Sequence, residues 1–201
     1  MMENNKYLQS MVDEMRENSK ITQENIVNEI NAQSTLTGKC ILARKYSGPQ
    51  STISEDMCKR DLGIGPPLNE TSGDGRKNDI NYEIKFSIHA KKSSINFVQI
   101  RPQHDVQIYI FVTYNMYEND LLGNAHIFKV PSDAVYDMVI KYGGYAHGTT
   151  CINGAITKEN FGINNCEYAL RCTNPNAKTG KCAQLWNELL NYEVEYHSDN
   201  F

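Results

Sequence analysis

The sequence predicts an α/β or α+β domain in which a mixed β-sheet is flanked by helices. Three features carry that prediction. From Tyr82 to Ile88, apolar Tyr82, Ile84, Phe86 and Ile88 alternate with Glu83, Lys85 and Ser87, the period of two of a half-buried strand. From Val106 to Tyr114 the chain is almost continuously apolar, β-branched or aromatic, the profile of a central strand covered on both faces. Toward both ends apolar residues recur instead at three- and four-residue steps, as on helices. With 201 residues, 40% of them hydrophobic, the chain is long enough for one well-buried domain and short for two.

In chain order, Tyr7, Leu8, Met11 and Met15 share a helical face that can pack on something. A second short helix is expected from Glu24 to Ala32, capped by Thr22, with Ile26, Val27 and Ile30 on one side. Gln33 to Gly38 reads as loop, and Lys39 to Lys45 suits a short strand as well as a helical turn. After the break at Ser47-Gly48-Pro49, Thr52 and Glu55 stand at capping-box spacing before Ile53, Met57 and Leu62, and Gly63 stops that helix. A loop from Gly65 to Gly75 feeds the alternating strand. Ala90 to Ser93 forms a basic turn, and Ile95 to Arg101 runs extended until Pro102, with Gln99 and Arg101 pointing the same way. Beyond the central strand, His126 to Val130 reads as a strand. Ser132 opens a helix carrying Val135, Met138 and Val139 that closes at Gly143-Gly144. Cys166 to Cys172 is strand-like, and Lys181 to Tyr192 places Cys182, Leu185, Trp186, Leu189 and Leu190 on one helical face. The expected organisation is a single domain over 1–201, with a helical segment at 1–35, a core over 50–140 and a loop and last helix over 141–201.

The chemistry concentrates between Thr71 and Ser87. Glu83 and Lys85, two apart on a strand, project side by side, and Asp74 lies on the glycine-flanked turn Gly73-Asp74-Gly75 just before them. Two carboxylates offer hard oxygen ligands to Mg²⁺, which keeps several waters and takes further ligands from a substrate phosphate. A lysine beside them can orient or help deprotonate an attacking water. Asp79 competes with Asp74 for the role of first acid but lies only four residues before Glu83.

Asp74 and Glu83-Ile84-Lys85 resemble the D…(D/E)-x-K signature of the PD-(D/E)XK nuclease superfamily, and their surroundings from about Ser54 to Tyr114 look like those of Type II restriction endonucleases. Gly73 stands where the signature has proline. The resemblance implies a restriction-endonuclease-like core and a Mg²⁺-dependent, site-specific double-stranded DNA endonuclease. Asp74 and Glu83 would hold the metal, the Ile84 backbone carbonyl would add a ligand, and Lys85 would activate water. Glu55, on the preceding helix, would be the further glutamate that such enzymes often place beside the metal; its alternative role is the helix cap. Cleavage leaving a 5′-phosphate, and a homodimer cutting both strands of a short palindrome, are also implied.

The formal net charge of −4 argues at first against a nucleic-acid enzyme. Its distribution answers the objection: Arg76, Lys77, Lys85, Lys91, Lys92 and Arg101 face only Asp79 and Glu83 over the same stretch, while acid gathers near both ends. A basic strip beside the site suits DNA; Gln99 and Arg101 suit steadying the scissile phosphate or Lys85 and equally suit hydrogen bonds at a sheet edge. The loop Gly143 to Thr150, with Tyr145, His147, Thr149 and Thr150, offers donors and acceptors to bases or phosphates. Six scattered cysteines lack the paired spacing of zinc modules, and with His147 nearby a zinc site in the last quarter is the minor reading. No basic-then-apolar leader and no membrane-length apolar run is present, so a soluble intracellular protein is expected. Three rivals remain: a nicking, repair or junction-cutting nuclease of the same superfamily, a DNA-binding protein without catalysis, and an unrelated interaction domain whose charged strand is accidental.

Overall fold

A computed structural model describes residues 2–46, 52–89, 95–115, 122–146, 154–172 and 178–201. Its architecture is mixed α/β. Three helices come first: α1 (Met2–Asn31), α2 (Leu36–Tyr46) and α3 (Thr52–Leu62). The strands β1 (Gly75–Lys77), β2 (Ile80–His89), β3 (Ile95–Ile100), β4 (Ile108–Asn115) and β5 (Asn124–Pro131) follow. Helix α4 (Ser132–Tyr142), short strand β6 (Gly144–Tyr145), β7 (Tyr168–Cys172) and α5 (Gly180–Leu190) complete the order.

The main sheet has the order β1-β2-β4-β5, with β2 and β4 parallel and the other two pairings antiparallel. A second sheet, β3-β7-β6, is antiparallel throughout. Strand β4 lies between β2 and β5 and is covered on both faces, as its composition requires. Ile110, Val112 and Tyr114, with Tyr82 and Ile84 of β2, pack on Cys40, Cys58 and Leu62 of the helices. Tyr109 and Phe111 face the other way, against Phe97 and Leu170 of the second sheet and Val135 and Leu185 of α4 and α5.

Several local expectations change for identifiable reasons. The two short helices at the start are one helix of 30 residues. Thr22 does not cap a new helix; its hydroxyl donates back to the Asn18 carbonyl at 2.8 Å, which leaves the helix running. Met11 and Met15 are exposed; among the described side chains of α1, Val27 and Ile30 in its second half are the ones buried in the core, and the Tyr7 and Leu8 side chains lie outside the described ones. The ambiguous segment after it is helical because Thr35 caps α2, its Oγ1 accepting from the Gly38 amide at 3.1 Å. Helix α3 ends as expected: Gly63 takes φ 67°, and the Ile64 amide donates to the Lys59 carbonyl at 2.8 Å. Among the described residues no helix is long and apolar enough to cross a membrane.

Candidate active site

The site forms where β1 stops. Asn78 and Asp79, both with positive φ, make the two-residue hairpin turn that folds β1 onto the start of β2. β1 covers β2 only as far as Tyr82, its partner being Gly75. Past that point the edge of β2 is taken over by Asp74: its amide donates to the Tyr82 carbonyl at 2.8 Å, and its Oδ2 accepts from the Ile84 amide at 2.7 Å. The carboxylate therefore stands where the next strand residue would be. Backbone groups alternate sides along a strand, so Ile84, whose amide faces Asp74, turns its carbonyl to the same edge.

The loop that delivers Asp74 is shaped by its own polar residues. Asn69 Oδ1 accepts from the Thr71 amide and from the Thr71 and Ser72 hydroxyls, each at 2.9 Å. Gly73 then takes φ 72°, and a Cβ there would stand 2.5 Å from the Tyr82 carbonyl oxygen. Glycine is what the close approach of loop to strand demands.

Glu83 and Lys85 share the face of β2 that looks toward the second sheet. Lys85 Nζ lies 2.5 Å from Glu83 Oε1, with the side chains 14% and 7% exposed, so the pair is largely buried. Burial raises the Glu83 pKa, Lys85 opposes this, and the Asp74 carboxylate adds to it. Glu55, half-buried in the first turn of α3, belongs to the same field. Its pKa is pushed up to about 7, first by burial and then by Asp74, against Lys59 and Lys85, with Glu83 also raising it. Three carboxylates and a lysine from α3, the loop and β2 thus share one electrostatic environment.

The basic strip fares differently. Arg76 pairs with Asp79 at 2.8 Å in the hairpin, and the Asp79 side chain is 93% exposed in that turn, away from the carboxylate group. Lys77 Nζ donates to the carbonyls of Leu62 at 2.8 Å and Ser198 at 2.7 Å, closing the end of α3. Arg101 donates through Nε to Glu167 Oε1 at 2.6 Å. Each described cation of the strip therefore has a partner inside the molecule. Gln99 is exposed with φ 59°, on an irregularity in the β3–β7 pairing between Phe97 and Ile100. That bulge breaks the period of two on which the shared direction of Gln99 and Arg101 rested. Tyr145 packs against Tyr168, ring centroids 5.6 Å apart, as part of the core's margin. Lys91, Lys92, His147, Thr149 and Thr150 lie outside the described residues.

Sequence reasoning did not single out Glu167, His104 or Tyr109. Tyr109 is the register partner of Glu83 on β4, and its ring meets Tyr136 edge-on, centroids 6.2 Å apart. His104 follows Arg101 in a loop tied to the Asp74 loop, the Asp105 amide donating to the Thr71 carbonyl at 2.8 Å. Burial lowers the His104 pKa, and the charges of Arg101 and Lys85 lower it further. No local pattern announces these residues, because Tyr109 meets Glu83 through the β2–β4 pairing and Glu167 meets Arg101 through the β3–β7 pairing.

Among the described residues, no three His, Cys, Asp or Glu side chains converge closely enough to hold a metal ion by themselves, for zinc or any other. Mg²⁺ does not need such a cage; one or two carboxylates, waters and substrate phosphate suffice. The oxygen donors of Asp74 and Glu83 fit that requirement; burial first, and then the Asp74 charge, raises Glu55 and Glu83, and a divalent cation would offset the charge part. Comparison with known proteins yields no matching family model, no matching curated protein and no matching solved structure.

Proposed function

We propose that the chain is a Mg²⁺-dependent, site-specific double-stranded DNA endonuclease of the PD-(D/E)XK type, its mixed sheet being a restriction-endonuclease-like core. The observation that carries this reading is the gathering of Asp74, Glu83, Lys85 and Glu55 at the edge of β2 left uncovered by β1. A structural ion pair alone would not require a second and third carboxylate in the same partly buried place, where the Asp74 charge adds to burial in raising the pKa of both Glu83 and Glu55.

In this reading Asp74 and Glu83 hold the cation, with the Ile84 carbonyl on the same edge and Glu55 in reserve. Mg²⁺ bound there supplies Lewis-acid polarisation of the phosphoryl oxygen. The Ile84 amide fixes Asp74 through Oδ2 and leaves Oδ1 for coordination. Lys85, held by Glu83, orients the attacking water and offsets the charge that develops on the phosphoryl oxygens. Arg101 approaches from the end of β3 as a phosphate donor. A homodimer acting on a palindromic site and 5′-phosphate ends complete the proposal.

Digestion of unmethylated plasmid and phage DNA, with Mg²⁺ or with EDTA, tests it. Discrete fragments that need Mg²⁺ support a site-specific endonuclease, and sequencing their ends gives the target. Nicking or cutting of branched DNA alone assigns the site to a structure-specific nuclease. Binding without cutting removes catalysis from the account.

A further inference from the structure

We propose that Glu167 is a positioning residue for this reaction, holding the Arg101 guanidinium beside the Glu83–Lys85 pair in the orientation that receives a phosphate oxygen. The inference rests on the nuclease reading. The contact is made at one point, Nε to Oε1 at 2.6 Å, between side chains 30% and 19% exposed. A guanidinium carries five N–H donors in a planar fork, so the use of Nε leaves the four donors of Nη1 and Nη2. That fork is the geometry that suits phosphate.

Arg101 is anchored from its backbone as well. Its carbonyl accepts from the His104 amide at 3.1 Å, in the loop that leads to β4, where Tyr109 sits opposite Glu83 in the β2–β4 register. Glu167 immediately precedes Tyr168, the partner of Ile100 where β3 and β7 pair, so the antiparallel register itself brings Glu167 to Arg101. The guanidinium lies within the field of the site: burial raises the Glu83 pKa, and Lys85 and Arg101 draw it down. A carboxylate that fixes one nitrogen of such a group sets the direction of the others without touching substrate.

Cleavage rates at saturating DNA, in Mg²⁺, would be compared for the wild type, Glu167→Gln, Arg101→Ala and the double variant. Glu167→Gln is expected to cut roughly tenfold slower through misplacement of the fork. The DNA concentration giving half-maximal rate should change little. Arg101→Ala should be slower still, and the double variant no slower than Arg101→Ala, because Glu167 acts only through Arg101. If thermal melting shows Glu167→Gln to be unfolded, Glu167→Asp replaces it, keeping the charge one methylene short, with a smaller slowing expected. A charge-neutral variant that cuts at the wild-type rate overturns the inference alone, as does an equal slowing by Glu167→Gln in the Arg101→Ala background. A wild type that cuts no DNA overturns the nuclease reading and the inference with it.

Discussion

Glu55 carries two readings in the sequence, metal-side glutamate and helix cap, and it is half-buried, with Asp74 the first charge acting on it after burial itself. Its folded-state value, about 7, stands above the ordinary 4.5, so the folded protein binds this proton more tightly than the unfolded chain. Stability associated with Glu55 is therefore greatest below pH 4.5 and is lost as pH rises through about 7. In EDTA, the melting temperature of Glu55→Gln relative to wild type should rise between pH 5 and pH 7.5. A difference that does not change with pH would show that Glu55 titrates normally. The Glu83–Lys85 pair obeys the complementary rule: buried charges persist only when paired, and removing one partner strands the other.

Single elements carry the site because two short pieces of chain end where they do. β1 stops at Gly75, and Gly73, at φ 72° and against the Tyr82 carbonyl, lets Asp74 turn onto the vacated edge. Gly73→Ala should lower stability by about 1–3 kcal/mol through its backbone conformation, and should abolish cutting even where the fold survives. Melting and cleavage measured on the same sample separate the two effects, and an active Gly73→Ala would mean that Asp74 need not sit on this edge. Lys77 was legible in the sequence as part of a basic strip, yet it closes the carbonyl end of α3 and ties down Ser198. Lys77→Met is accordingly expected to cost about 1.5–3 kcal/mol of stability, the scale of hydrogen bonds to a charged group. It should leave the salt dependence of DNA binding unchanged; a shallower salt dependence would return Lys77 to the DNA surface.

At the scale of the whole molecule, the strands and the later helices were legible because their periodicity is strong: β2, β4, α4 and α5 form close to the expected positions. The start of the chain was not, since Thr22 serves a cap and a helix interior equally well until its hydroxyl finds a partner. The acid, acid and lysine of the site were legible from Asp74 to Lys85, a local segment. Glu167 and Tyr109 were not, because β7 and β4 reach the site only through sheet pairing. The segment 193–201 was equally silent. It runs back along β5, the Val194 amide donating to the Ile127 carbonyl at 3.1 Å, and buries Phe201 beside Tyr82 and Leu62. The basic strip misleads in the same way at Lys77, whose ammonium is spent on the internal carbonyls of Leu62 and Ser198. The central claim is that the edge of β2 is a Mg²⁺-dependent phosphodiesterase centre. Its most direct measurement is the Mg²⁺-dependent cleavage rate of one duplex by wild type, Asp74→Asn, Glu83→Gln and Lys85→Met, each shown by melting to be folded. The account predicts cutting by the wild type and a loss of at least about 10²-fold in every variant. Folded variants that cut as fast as wild type, or cutting that persists in EDTA, would contradict it.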